Sequence, residues 1–313
     1  MKVITDIAHI DRDQWRHLLA VSPVRNWFQS PEAYDFFVSV SDCMTPFVSA
    51  VYDGKLCGIM VGYTVAADGL MRFFTERTII NGGPLLAADI SDEALEALLD
   101  SVPKRGIYCE IRNFGDYHIW NSVFDKAGWT FRPHYDVLFD CSADWRARIH
   151  QTKSLQLRRA LKDGQTWNLA KTEQDVAQWY AILDKLYRTK VHRPLFPEHF
   201  FVKAWKSKTC HLILVRDKAK TLIGGALVPA THFAAYEWYI CGPAMSTYAI
   251  LEWCEQNGVA CLDAMGAGEP QKEYGVRDFK LQMGGELYQF GRYLKINRNL
   301  RYRLGAAYIN FRS

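Results

Sequence analysis

The feature that most constrains this chain is an internal repeat of about half its length. Superposing Phe124 on Phe279 gives an offset of 155 residues (279 minus 124), and superposing Gly128 on Gly284 gives 156 (284 minus 128). Around both pairs the predicted elements follow one order: helix, helix, hairpin, strand, helix, strand, helix, strand. Two copies of one α/β unit account for this match. A chain of 313 residues has room for two domains of about 150 residues each.

The first copy opens with two short helices within residues 11–40. The second of them has Ser30 as N-cap and Pro31 at the first helical position. The elements predicted next are a hairpin over 46–65, a strand over 69–80, a helix over 91–102, a strand over 107–113, a helix over 117–127 and a strand over 131–140.

The second copy follows a crossover segment at 143–172, which contains a charged helix. Its predicted elements are helices over 173–188 and 197–205, strands over 211–217, 222–230 and 234–240, a helix over 246–256, and strands over 260–265 and 286–296. A mixed sheet with helices on both faces fits this order, in the α/β (α+β mixed) class. We expect domains at 1–142 and 143–290, with 291–313 returning to the first.

Composition excludes several classes of protein. The hydrophobic fraction of 49% and the charged fraction of 23% are those of a folded globular chain. Asp6, Asp11 and Asp13 interrupt the start of the chain, and no later run reaches about 18 apolar residues, so we expect a cytoplasmic protein without a transmembrane segment. Eight cysteines without a CxxC pair predict buried free thiols, no disulfide and no structural metal.

Two local clusters of cations stand out against a net charge of only +4. The first is the basic helix at 153–162; the alternative to a binding role for it is an ordinary solvent-exposed helix face. The second is the tail, where arginines alternate with aromatic residues that stack on bases as guanidinium groups do, so it suits nucleic acid or a phosphate-rich surface. Its members are Arg292, Tyr293, Lys295, Arg298, Arg301, Tyr302, Arg303, Tyr308, Phe311 and Arg312.

The best candidate for catalysis is Lys280, in the stretch 263–291. An apolar run ends at Asp263, a Gly-rich loop follows at 265–268, and Lys280 then precedes Gly284 and Gly285. A lysine held near such a loop can neutralise an anion or a developing oxyanion. The alternative is a solvated lysine after a buried phenylalanine. The chain contains no GxSxG elbow, GxxxxGK[ST] loop or HExxH pair, so hydrolase, NTPase and metalloenzyme interpretations lose their usual support.

Three segments of the second copy resemble the FemABX family of tandem GNAT-fold transferases: YEWYICG (236–242), 246–268 and 274–292. The resemblance runs through most of the chain and includes NWFQSPEAYDFF, YCEIRNFGDY, KSLQLRRALKDG and the triplet HRP at 192–194. Two consecutive GNAT folds would produce the repeat. The resemblance implies transfer of an amino acid from aminoacyl-tRNA to the stem-peptide amine of a peptidoglycan precursor, or, in related branches, of an acyl group to another amine.

The resemblance also implies roles for individual residues. Lys280 matches the catalytic lysine of the family and Phe279 its neighbour. Arg193 matches an arginine that contacts precursor phosphate, and Pro194 restricts its backbone to an extended conformation; a loop salt bridge is the alternative. Asn113 stands where relatives carry an acidic residue in the cleft strand of the first domain.

Further candidates come from the residues themselves. Glu237, Trp238 and Tyr239 could line an acceptor pocket, although alternating aromatics on a strand more often belong to the core. Gly266 and Gly268 bound a loop whose N–H groups could hold an anion or simply form a turn. Three departures from the family are the absent helical arm, the short link from residue 242 to 246, and an aspartate at position 35, where relatives carry a phosphate-binding lysine.

The leading hypothesis is an aminoacyltransferase without a tightly bound cofactor or metal, in which the amine of a phosphate-bearing cell-wall or glycan precursor attacks the ester of aminoacyl-tRNA. Lys280 would stabilise the oxyanion, and the amine must arrive neutral because no base is evident. The alternative is an N-acyltransferase of an amino sugar that uses acyl-CoA or an acyl carrier, but the chain lacks the [QR]-x-x-G-x-[GA] loop that holds CoA pyrophosphate. A third reading is a non-enzymatic module that binds RNA or a membrane surface through the basic tail.

Overall fold

The helices and strands of the computed structural model follow one another in the repeated order that the sequence predicts. The structure describes residues 1–67, 72–142 and 144–303. The helices are α1 (Arg12–Val21), α2 (Pro31–Ser39), α3 (Arg72–Thr75), α4 (Asp92–Asp100), α5 (Asn121–Lys126), α6 (Trp145–Arg148), α7 (Gln151–Lys162), α8 (Glu173–Leu186), α9 (Glu198–Lys206), α10 (Met245–Gln256) and α11 (Gly275–Gln282). Within the described ranges, no helix has the length and apolar character needed to cross a membrane.

The strands are short and numerous in both halves of the chain. They are β1 (Lys2–Ile4), β2 (Thr45–Asp53), β3 (Lys55–Val65), β4 (Arg77–Gly82), β5 (Leu85–Leu86), β6 (Tyr108–Asn113), β7 (Thr130–Arg132), β8 (Asp136–Asp140), β9 (Thr166–Leu169), β10 (Cys210–Arg216), β11 (Leu222–Pro229), β12 (Ala234–Tyr236), β13 (Tyr239–Cys241), β14 (Cys261–Gly266), β15 (Glu286–Tyr288) and β16 (Arg292–Ile296). The predicted mixed α/β class is confirmed.

The chain forms two units and crosses between them twice. The first unit comprises Met1–Pro133 and Phe290–Ser313, and the second comprises His134–Gln289. The expected boundary at residue 142 therefore falls too late, because β8 pairs with β14 and β15 of the second unit. After the second crossing, β16 pairs with β6 and β7 of the first unit. The tail residues Tyr308, Phe311 and Arg312 lie outside the described residues.

Three stretches that we expected to be single strands are each divided in two. Residues 131–140 form β7 and β8, residues 234–240 fall within β12 and β13, and residues 286–296 form β15 and β16; the two parts of each stretch lie in different sheets. In the expected strand over 69–80, residues 72–75 are helical and pairing begins at Arg77. β-Propensity marks a segment that fits a sheet but does not select its partner strand.

The sheet of the first unit is continuous. Its order is β1-β2-β3-β4-β6-β16-β7, with β5 on β3. The pairs are antiparallel except β4 and β6, which run parallel with a register from Arg77 opposite Tyr108 to Gly82 opposite Asn113. The side chain of Ser30 accepts a hydrogen bond from Ala33 N–H and so caps α2 as predicted.

The sheet of the second unit is divided into two groups of four strands, β13-β11-β10-β9 and β12-β14-β8-β15. β12 pairs with β14 in parallel, whereas β13 pairs with β11 in the antiparallel sense. The break between β12 and β13 falls at Glu237 and Trp238. Helix α10 packs against β10, β11 and β14 and buries most of its residues, so it forms the centre of this unit's core.

The two copies of the repeat end in the same local structure. Phe124 lies on α5, which leads through Gly128 (φ +79°) to β7, and Phe279 lies on α11, which leads through Gly284 (φ +96°) to β15. Both glycines adopt the left-handed conformation that ends a helix. The repeated order predicted a helix before the last strand of each copy, but the sequence analysis gave no bounds for the one in the second copy. The structure places it at α11, around Phe279.

Candidate active site

Lys280 is buried, with its side chain directed at the end of β14. The residue is 5% exposed. Its Nζ donates hydrogen bonds to the carbonyl oxygens of Ala264 (2.5 Å), Gly266 (3.0 Å) and Met265 (3.3 Å). An ammonium group has three donors, so all of them are engaged. The interpretation of Lys280 as a solvated surface lysine is therefore excluded, while Phe279 beside it is only partly buried and lies 5.0 Å from Lys153 Nζ, measured to the ring centroid.

A bulge in β14 directs these three carbonyls at one point. The register between β14 and β8 shifts between Asp263 and Gly266, and Met265 has a φ of +61°. A non-glycine residue in this conformation costs on the order of 1–3 kcal/mol and persists only where its surroundings enforce it. Here the Lys280 ammonium and the Asp263 carboxylate, which accepts a hydrogen bond from Met265 N–H at 2.6 Å, hold the bulge from two sides.

The charge of Lys280 acts electrostatically on two buried carboxyl groups. Asp263 is 3% exposed and Glu237 is 6% exposed, and Glu237 N–H donates to the Asp263 carbonyl at 2.9 Å. Burial raises the pKa of Asp263 to about 7; the Met265 N–H and the Lys280 charge oppose the rise, and Glu237 adds to it. Burial also raises the pKa of Glu237, against the Lys280 charge and a 3.1 Å hydrogen bond from the Thr247 hydroxyl.

This cluster can exchange a proton near neutral pH. With one ammonium for two carboxyl groups, full ionisation would leave a buried net negative charge, so the pair retains a proton more readily than exposed acids do. A carboxyl pKa of about 7, as at Asp263, suits a general base or acid. The sequence analysis found no base. One feature of the sequence could have indicated a base: Asp263 is the one acidic residue in the apolar strand 260–265.

The Gly-rich loop after β14 is fixed by backbone hydrogen bonds. Ala267 N–H donates to the Tyr135 carbonyl at 2.6 Å, and Tyr135 N–H donates to the Gly268 carbonyl at 2.8 Å. Gly268 has a φ of +83°, and a Cβ there would lie 3.1 Å from the Tyr274 ring. Because the Ala267 amide is occupied, the loop geometry favours the turn interpretation over anion binding by 266–268.

Trp238 and Tyr239 join an aromatic group of the second unit. The Trp238 ring lies 5.5 Å from that of Phe200, and the Tyr239 ring lies 5.0 Å from that of Phe201 and 6.3 Å from that of Tyr187. Both residues are half-buried, whereas Glu237 on the same segment is buried. They therefore form a partly accessible aromatic wall beside the break in the sheet.

The structure does not bring the remaining candidates together with Lys280. Arg193 is exposed, and within the described residues it makes no ion pair. Burial raises the pKa of Tyr187, and the positive charge of Arg193 offsets part of that rise. Asn113 lies in the first unit, where its Nδ2 donates to the Phe290 carbonyl at 3.0 Å and its buried Oδ1 has no partner among the described residues.

A surface cavity of about 580 Å³ lies in the second unit between α7 and the start of α10. Thr152, Gln156 and Arg159 line it from α7, and Pro243 and Met245 line it from the link that opens α10. A helix start with a nearby guanidinium group is suited to a phosphate. Of these residues, the sequence analysis had singled out only Arg159, as a member of the basic helix.

Comparison with known proteins finds likeness in structure but not in sequence. No family model matches the chain, and no curated protein matches it. FemX superposes with a TM-score of 0.71 at 13% identity, covering 97% of this chain and 99% of FemX. A C-terminal domain assigned to a lysylphosphatidylglycerol synthetase of Agrobacterium fabrum gives 0.60 at 12% identity, with 95% and 94% covered. L-PGS from Bacillus licheniformis gives 0.56 at 11% identity, with 92% of both chains covered. At such identities the likeness establishes the fold alone, which is the FemX-like tandem GNAT fold.

Proposed function

We propose that this protein is an acyltransferase of the FemABX type that moves an aminoacyl group from aminoacyl-tRNA to an amine of a peptidoglycan or surface-glycan precursor. The observation that carries the proposal is the buried cluster of Lys280, Asp263 and Glu237 at the break in the second unit's sheet. The FemX-like fold supports it. So does the second neighbour, a domain assigned to a lysylphosphatidylglycerol synthetase, an enzyme whose name specifies a lysyl group joined to a lipid.

The proposed reaction is attack of the amine on an activated ester. The amine nitrogen bonds to the ester carbonyl carbon, the bond from that carbon to the ribose oxygen breaks, and the amine loses a proton. Lys280 supplies a fixed positive charge where an oxyanion develops. Met265 O is its most distant acceptor, at 3.3 Å, and is the one that a substrate oxygen would replace. Asp263, with a pKa near 7, would accept this proton through the cluster and return it to the departing ribose oxygen, which leaves as a hydroxyl.

The cavity beside α10 supports RNA over CoA as the donor. A CoA pyrophosphate loop offers several backbone N–H groups, whereas the link here includes Pro243, which has none. Arg159 and Thr152 line the cavity and would contact a single phosphate instead, against the nearby carboxylate of Asp163. We therefore propose that this cavity takes a backbone phosphate of the donor RNA.

The experiment compares donors and acceptors directly. Purified protein is mixed with charged tRNA or acetyl-CoA, together with a nucleotide-linked muramyl pentapeptide or glucosamine, and the products are identified by mass spectrometry. Transfer from charged tRNA to the pentapeptide amine is expected. Product from acetyl-CoA alone would favour the amino-sugar N-acyltransferase.

The matched variants are Lys280→Met and Lys272→Met. Lys272 lies in the same segment but is 70% exposed and pairs with Glu269 at the surface, so its loss should leave turnover unchanged. Lys280→Met should lower turnover by about 10²-fold or more, the scale of losing one oxyanion donor. Lys280→Arg, which keeps the charge, controls for folding, and circular dichroism checks every variant. Near-normal turnover in folded Lys280→Met protein would refute the assignment.

A further inference from the structure

A second cavity, of about 390 Å³, lies in the first unit and concentrates positive charge. It is formed by the ends of β2 and β3, the helix α3, the segment before β6 and the segment after β16. Five of its side chains are cationic, against one carboxylate, that of Glu76, so the lining carries a net +4, as much as the whole chain. The cations are Arg72, Lys104, Arg105, Arg298 and Arg301.

Only one of these cations is neutralised by a neighbour. Arg72 pairs with Glu76 at 3.3 Å. In the part of the chain that the structure describes, the other four make no ion pair. Four unpaired cations in one cavity repel one another, and their combined field attracts a ligand of opposite charge.

The backbone that carries these cations is rigidly connected. Ile107 N–H donates to the Glu76 carbonyl at 2.8 Å, and the Ile107 carbonyl accepts from Asn297 N–H at 2.8 Å and Arg298 N–H at 3.0 Å. Gly106 has a φ of +79°, and a Cβ there would lie 2.7 Å from the Glu76 carbonyl oxygen. Three segments distant in sequence are thereby fixed around one opening, so the cations are placed by the fold and not scattered on a flexible surface.

An exposed aromatic ring stands in the same cavity. Phe73 is 56% exposed, and the Arg301 guanidinium lies 5.6 Å from its ring centroid. A phosphate group alone gains nothing from a ring, whereas a nucleobase stacks on it for about 1–3 kcal/mol. Cations beside a stacking surface therefore favour a nucleic acid over inorganic phosphate or a lipid headgroup.

We propose that this cavity binds a single-stranded segment of RNA, with its phosphates on Lys104, Arg105 and Arg298 and one base stacked on Phe73. The inference names a contact for the RNA part of the donor, and in that respect it rests on the proposed function. It assigns RNA binding to the first unit, which carries none of the Lys280 cluster.

The test measures binding of uncharged tRNA by fluorescence anisotropy over a range of salt concentrations. Arg105→Gln combined with Arg298→Gln should weaken binding about tenfold or more and lower the salt slope by roughly 1.4–1.8, since each phosphate contact contributes about 0.7–0.9. Lys171→Gln combined with Lys218→Gln removes two exposed cations from the second unit and should leave binding and slope unchanged. Phe73→Leu should weaken binding about fivefold or more with an unchanged slope, and Phe73→Trp should restore it.

Each outcome decides the inference. If the two double variants bind tRNA equally well, or if the protein binds vesicles of anionic phospholipid but not tRNA, the inference is overturned. Normal transfer from charged tRNA by an enzyme whose cavity variants bind RNA normally would overturn this inference and leave the proposed function standing. If the cavity variants weaken RNA binding as expected but the enzyme transfers nothing from any charged tRNA, the RNA site is supported and the proposed function is overturned.

Discussion

Glu110 in the first unit and Asp263 in the second hold the same position within their strands but have opposite electrostatics. Each is the third residue of its strand, and each lies opposite a leucine, Leu294 for Glu110 and Leu138 for Asp263. Burial raises the pKa of both, but Arg112 and Arg292 outweigh it at Glu110 and hold that pKa at about 2, whereas the pKa of Asp263 rises to about 7. The number of cations for each acid, and not burial alone, decides whether the site holds a fixed charge or a titratable one.

The two sheets differ at the same place. β4 pairs with β6 over six residues, whereas β12 pairs with β14 over three before the chain turns away at Glu237. The residue after the repeated phenylalanine is the exposed Asp125 in the first unit and the buried Lys280 in the second. In the first unit the sheet is continuous and the buried acid is neutralised by arginines, so this position has a structural role. In the second unit the sheet opens and two buried acids face a single cation, which makes this position a candidate for chemistry.

The largest difference in stability between the two units is expected at Lys280. Lys280→Met removes a buried ammonium that is bonded to three carbonyls and whose charge acts on two buried carboxyl groups, so the free energy of unfolding should fall by about 3–5 kcal/mol. Asp125→Asn, at the corresponding exposed position, should change it by less than about 0.5 kcal/mol. Urea denaturation monitored by tryptophan fluorescence measures both. Equal effects at the two positions would show that the units do not differ as described.

The next prediction concerns the sign of the pH dependence. Glu110 has a folded-state pKa below its unfolded value of 4.5, so its contribution to stability is present above pH 4.5 and is lost as the pH falls towards 2. Asp263 has a folded-state pKa above its unfolded value of 3.8, so its contribution is present below about pH 4 and is lost as the pH rises to about 7.

Urea unfolding of Glu110→Gln and Asp263→Asn between pH 2.5 and 8 tests these signs. The stability of the parent protein relative to Glu110→Gln should rise with pH below about 4.5, and relative to Asp263→Asn it should fall between about pH 4 and 7. Each slope is at most about 1.4 kcal/mol per pH unit for one proton. Slopes of the same sign would contradict the pKa assignments.

The smallest effect distinguishes the two helix ends of the repeat. Gly128→Ala should cost about 1–2 kcal/mol, the cost of a side chain in left-handed backbone, because the nearest atom to its Cβ would be 3.8 Å away. Gly284→Ala should cost more, because its Cβ would lie 3.0 Å from the Arg148 carbonyl carbon. Thermal unfolding of both variants ranks them, and a lower cost at Gly284 would be inconsistent with this packing.

Prediction from sequence succeeded where the signal is local. Hydrophobic spacing located the helix over 91–102, observed as Asp92–Asp100, and Ser30 with Pro31 located the start of α2. Prediction failed at strands whose two halves have different partners, as in residues 234–240. The hydrogen-bond partners of a strand lie far away in sequence, and an apolar run does not indicate which sheet each of its halves will join.

The sequence by itself determined that this protein contains two copies of one α/β unit and that Lys280 follows the repeated phenylalanine. Both are properties of residue order along the chain, and the spacing of residues in the sequence is enough to detect them. The tertiary structure alone decided that β8 and β16 complete sheets across the repeat boundary, that β12 and β13 part at Glu237, and that the charge of Lys280 acts on the buried Asp263. Burial and charge pairing depend on residues brought together from distant positions, and the raised pKa of Asp263 follows from that convergence.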